Sequence, residues 1–119
     1  MVKMKRIYRW THTKIAEWNK ATFPKNSAIL QLLKIEEEMK EMDKELGISF
    51  ERWIEEWADI SIACAAGWYR FKLVTALNIL KLIESMPEYH LIMEARDKKM
   101  DVNIKRIWEG NNHVEEIAC

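Results

Sequence analysis

An all-α bundle of about five helices is the fold this sequence predicts, and three observations lead to it. Apolar residues recur at spacings of three and four along most of the chain, the period of a helix with one buried face. No segment shows a convincing apolar-polar alternation of the kind a half-buried strand requires. Three glycines and two prolines leave few break points in 119 residues, so the helices are long and the turns short.

The elements follow in order. A first helix covers about Thr13 to Thr22, carries Ile15 and Trp18, and stops before Pro24, because the residue ahead of a proline is driven from helical geometry. Asn26 or Ser27 caps the second helix by accepting from its free N–H groups. Ala28, Leu32, Ile35, Met39, Met42 and Leu46 form its apolar stripe, and Gly47 ends it in the left-handed conformation. Ser49 caps a third helix reaching about Phe71, with Trp53, Trp57, Ile60, Cys64 and Phe71 on its apolar side. Its stretch from Ile60 to Trp68 is nearly all apolar and is expected to be the most buried part of the protein. A fourth helix runs from about Leu73 to Ser85, with no strong breaker to part it from the third. Pro87 favours a fifth helix start, and that helix runs to about Trp108 before Gly110, Asn111 and Asn112.

Length and composition place the chain as a single globular domain spanning 1–119. A formal net charge of zero offers no general attraction to nucleic acid, despite Lys3, Lys5, Arg6 and Arg9 near the start. No signal peptide and no run of roughly 20 apolar residues is present, so a cytoplasmic protein without membrane association is expected. Cys64 and Cys119 have neither CxxC nor zinc spacing, and a reducing compartment suits them.

Two carboxylate clusters carry the chemistry. Glu37-Glu38-Met39-Lys40-Glu41 lies on the second helix and Glu55-Glu56-Trp57-Ala58-Asp59 on the third. Glu38 and Glu41, and likewise Glu56 and Asp59, are three apart, with Cβ atoms roughly 5–6 Å from each other on one face. If the helices fold back on one another, four carboxylates converge and need a cation. On the second helix alone, the polar line Gln31, Lys34, Glu38, Glu41 and Glu45 reads first as a solvated stripe. Glu56 and Asp59 shift the balance, because they interrupt an apolar segment where an unpaired carboxylate is costly. Arg52 is an alternative partner for Glu56. Oxygen ligands of this kind suit Mg2+, with Mn2+ as a substitute, and Mg2+ in turn points to a phosphate substrate. Either Glu37 or Glu38 is placed to take a proton from an attacking water.

On the fifth helix Lys99, Asn103 and Arg106 stand at i, i+4 and i+7, one face able to grip phosphate oxygens. A solvated lysine-rich face is the plainer reading. Six tryptophans mostly fill the core, although Trp18 or Trp57 is available to stack on a nucleobase. His12, His90 and His113 have no ligand spacing, and Met39, Met42, Met93 and Met100 read as core or subunit interface.

The run Leu33 to Glu41, followed by Glu56-Trp57-Ala58-Asp59-Ile60, resembles the EExxE…ExxD signature of the MazG-like all-α nucleoside triphosphate pyrophosphohydrolases. Trp18 through Phe23-Pro24 and the late Lys99, Asn103, Arg106 and Trp108 extend the likeness to the branch containing phage dATP/dGTP diphosphohydrolase-type proteins. The resemblance implies a helical fold completed as a homodimer or homotetramer. It also implies Mg2+ held by Glu38, Glu41, Glu56 and Asp59, with Glu37 nearby and phosphates contacted by Lys99, Asn103 and Arg106. The expected reaction cuts between the α- and β-phosphates, releasing a nucleoside monophosphate and pyrophosphate in nucleotide-pool house-cleaning. The rivals are a relative acting on dUTP, dCTP or phosphoribosyl-ATP, and a non-catalytic helical interaction module with acidic faces.

Overall fold

The computed structural model describes residues 7–108, and these are wholly helical apart from their turns. Its helices are α1 (His12–Thr22), α2 (Ala28–Glu45), α3 (Phe50–Phe71), α4 (Val74–Glu84) and α5 (Tyr89–Trp108). Lys3, Lys5, Arg6, Gly110, Asn111, Asn112, His113 and Cys119 lie outside the described residues.

The helix starts follow from local chemistry. Thr11, Ser27 and Ser49 each accept from the N–H three residues on (Lys14, Leu30 and Arg52), all at 3.2 Å. Each bond satisfies a donor that the first turn leaves free. Ser27, rather than Asn26, is therefore the cap of α2. Asn26 instead donates to Asn19 and Gln31, at 3.2 and 2.7 Å. Gly47 takes φ +80° in the turn after α2. The break between α3 and α4, invisible in the sequence, is made by Lys72 at φ 58°. Its N–H bonds the Trp68 carbonyl at 2.9 Å, and the Leu73 N–H reaches back to Gly67 at 3.0 Å. The Lys72 bond is the 5→1 return of an αL cap, made here without a glycine.

α3 is the hub, with α1, α2, α4 and α5 all packed against it. As expected, Ile60 through Gly67 are fully buried. One core cluster joins Ile35 of α2, Ile54 and Trp57 of α3, Ile83 of α4, and Ile92 and Met93 of α5. A second gathers Ile15, Ile62, Ala65 and Met100, with Trp10 and Trp18 against it. Short turns make successive helices antiparallel, so α3 and α5 run in the same direction. The clusters agree: early α5 meets early α3 in the first, and Met100 meets Ile62 and Ala65 in the second. A Cβ on Gly67 would sit 2.9 Å from that of Ala76, so this glycine is what lets α4 approach α3.

The facing of α2 differs from the sequence expectation. Leu32, Met39 and Leu46 of its apolar stripe remain exposed, while Gln31 and Glu38 of its polar line turn inward beside Ile35. Bonding on the inner face compensates the buried polar groups. Gln31 donates to the Ala63 carbonyl at 2.8 Å, and Lys34 pairs with Glu38 at 2.8 Å.

Two arginines tie α1 and the chain ahead of it to the bundle. Arg70 of α3 donates to Asn19 Oδ1 at 2.7 Å and to the Phe23 carbonyl at 2.9 Å, completing the C-terminal end of α1. Arg96 of α5, 3% exposed, donates to His12 Nδ1 at 2.7 Å, Ser61 Oγ at 3.0 Å and the Trp10 carbonyl at 2.8 Å. Next to it, Asp97 accepts from the backbone N–H groups of Arg9 and Trp10, both at 3.0 Å.

Burial first, and the neighbouring Arg96 charge second, push the His12 pKa down from 6.5 to about 4. The folded state thus prefers neutral His12, and stability present above pH 6.5 is lost as pH falls toward 4, because the unfolded chain takes up the proton first. His12→Gln keeps an acceptor for Arg96 without titrating. Its denaturant midpoint is expected to lack the wild-type decline between pH 6.5 and 4; parallel curves would show that His12 is not the titrating group.

Candidate metal and phosphate site

The turn formed by residues 46–49 folds α2 and α3 into an antiparallel hairpin, which sets Glu38 opposite Glu56 and Asp59. One carboxylate oxygen from each of the three lies within 4.8 Å of the others. Asp59 comes one turn after Glu56, so both fall on the same face of α3. Glu38 is 9% exposed; Glu56 and Asp59 are half-buried.

The electrostatics follow from this placement. Burial raises the pKa of all three carboxyls above the ordinary carboxylate range, and for Glu56 the charges of Asp59 and Glu38 add to the rise. Two lysines oppose the effect. Lys34 Nζ stands 2.8 Å from Glu38, and Lys99 Nζ 3.1 Å from Asp59. Glu56 has no ion pair among the described residues, and Arg52, its expected alternative partner, lies 3.7 Å from Glu45 instead.

These groups border a cleft of about 660 Å³ walled by α2, α3 and α5, within the size range of small-molecule sites. Lys34, Glu38, Asp59, Lys99, Asn103 and Arg106 all line it. The cationic face read on the fifth helix therefore opens onto the carboxylates rather than onto bulk solvent alone. Glu56 completes the carboxylate group from beside the cleft wall.

Three expected site residues stand apart. Glu41 is exposed and pairs with Lys44 at 3.3 Å; its oxygens are not in the three-carboxylate group, although its charge reaches Glu56. Glu41 is one turn beyond Glu38 and faces outward. Glu37 is exposed and does not line the cleft, since one residue of helix turns it about 100° away from Glu38. Trp18 packs edge-on against Phe23, ring centres 5.6 Å apart, beside the second core cluster and off the cleft wall. Trp57 is buried against Trp53 in the first.

Phe50 and Lys98, given no site role from the sequence, line the cleft, as does Glu55 of the second carboxylate cluster, for which no role was assigned. For Glu55 a signal was present: it precedes Asp59 by four residues and so shares its side of α3.

Three oxygen ligands of hard character fit a Mg2+ or Mn2+ ion and leave its other positions to water or phosphate. Neither a family model, nor a curated protein, nor a solved structure matches this chain.

Without metal, the folded state holds protons on these carboxyls to higher pH than the unfolded chain does. Stability present in the acid range is accordingly lost as pH rises through the folded values. Glu56→Gln removes one of the crowded charges. The metal-free variant is expected to unfold at a higher denaturant midpoint than wild type at pH 7, the gain vanishing near pH 4. A variant less stable than wild type at pH 7 would mean that Glu56 is held by a favourable partner.

Proposed function

We propose that this protein is a magnesium-dependent nucleoside triphosphate pyrophosphohydrolase, releasing a nucleoside monophosphate and pyrophosphate. The observation that carries the reading is the single cleft in which Glu38 and Asp59, with Glu56 beside them, face Lys99, Asn103 and Arg106. A solvated acidic surface would have no reason to share a concave site with a cationic face from a helix far along the chain. The motif resemblance supports the same reaction.

Glu38, Glu56 and Asp59 would hold the ion. Bound there, Mg2+ supplies charge neutralisation and Lewis-acid polarisation of a phosphoryl oxygen. The remaining steps belong to side chains. Lys34 and Lys99 pair with Glu38 and Asp59 at the cleft wall, where both ammonium groups would be within reach of phosphate oxygens once a cation held the carboxylates. Arg106 is suited to a bidentate phosphate contact, and Asn103 Nδ2 offers a neutral donor next to it. Of the two carboxylates considered as proton acceptors for the attacking water, Glu38 borders the cleft and Glu37 does not, which favours Glu38.

The reading extends to a homo-oligomer. α2 exposes Ile29, Leu30 and Leu33 together with the outward part of its apolar stripe, a surface that a second copy would cover. Among the described residues no helix is long and apolar enough to cross a membrane.

The test is a panel of (d)NTPs with Mg2+ and product identification. Monophosphate plus pyrophosphate is the expected outcome, and Asp59→Asn is expected to lower kcat by at least about a hundredfold with helix content unchanged. Diphosphate plus phosphate would assign a different bond. No turnover of any nucleotide would favour an acidic interaction module, for which the two lysine–carboxylate pairs are structural.

A further inference from the structure

Beyond the carboxylates and cations, the cleft has a third chemical character. Phe50 and Ile54 from the start of α3 and Leu91 from the start of α5 also line it. Phe50 is 59% exposed, an aromatic ring left to water at the rim of a polar site, and its ring lies tilted against Trp53 with centres 5.9 Å apart.

The helix directions order these residues along the cleft. Because α3 and α5 run the same way, Phe50 and Leu91 stand at one end, Asp59 and Lys99 follow, and Asn103 and Arg106 come last. Phe50 precedes Asp59 by about 13 Å of helix, and Leu91 precedes Lys99 by about 12 Å, at ~1.5 Å per residue.

Charge sets the polarity. Glu51 and Glu55 flank the apolar end and repel phosphates from it, whereas Lys99 and Arg106 attract them toward the other. A ligand anionic at one end and flat and apolar at the other has one favourable orientation.

We propose that Phe50, with Ile54 and Leu91, forms the subsite for the nucleobase, Phe50 stacking on its face, and that this subsite fixes the direction in which the triphosphate enters the cleft. The assignment rests on the pyrophosphohydrolase reading. A stacked ring supplies affinity that every base can use, so the subsite acts on nucleotide binding rather than on bond cleavage.

The experiment compares wild type, Phe50→Ala and Phe50→Tyr in steady-state hydrolysis of a dNTP, together with inhibition by pyrophosphate, which has no base. Phe50→Ala is expected to raise KM on the order of tenfold with kcat within twofold. Its pyrophosphate inhibition constant stays unchanged, and Phe50→Tyr restores KM. An unchanged KM in Phe50→Ala, or an equal weakening of pyrophosphate, overturns the subsite while leaving the hydrolase reading intact. A wild type that hydrolyses no nucleotide removes the reading, and the subsite with it.

Discussion

Carboxylate repulsion between α2 and α3 is the constraint around which this structure is organised. The hairpin that buries Ile35 against α3 also forces Glu38 onto Glu56 and Asp59, because all four positions lie on the contacting faces. Burial makes each negative charge expensive, and proximity makes the set more so. The bundle answers with Lys34 from the same helix and Lys99 from α5. One consequence is architectural. α5 must bring its cationic face to the hairpin, and the space left between the three helices is the cleft.

The other face of α5 is governed by a different set of polar contacts. Arg96 and Asp97 occupy successive positions and hold the chain around Trp10, while Lys99, two residues on, points to the carboxylates. A single helix thus anchors the start of the described chain on one side and completes the site on the other. Arg70 does comparable work at the end of α1. Arg96 is buried and Arg70 half-buried, and each ties backbone carbonyls around α1 to a helix distant in the chain.

Much of this was legible in the sequence, and for identifiable reasons. Ser27 and Ser49 announced helix starts because a hydroxyl cap is a local event. The depth expected for Ile60 to Trp68, nearly all apolar, holds through Gly67, and the face formed by Lys99, Asn103 and Arg106 followed from helical spacing alone. The failures are non-local. Lys72 adopts left-handed geometry because α4 must fold back on Gly67, and nothing in a lysine signals that. The facing of α2 was misread because its inner surface mixes Ile35 with Gln31 and Glu38, whose partners lie on α3 or on α2 itself. Glu41 and Glu37 looked equivalent to Glu38 by motif. Yet one residue of helix turns Glu37 away from the cleft, and Glu41, a turn further on, is exposed and paired with Lys44. Trp18 and Trp57, the two tryptophans available to stack on a base, pack instead in or beside the core clusters, off the cleft wall.

The central claim is that the three carboxylates are gathered to hold a divalent cation, with lysines standing in when it is absent. Anomalous diffraction from crystals grown with Mn2+ tests it most directly. The account predicts a single strong peak bounded by oxygens of Glu38, Glu56 and Asp59, with Lys34 and Lys99 turned away from the carboxylates. No peak at saturating Mn2+, with both lysine–carboxylate pairs still closed, would contradict it.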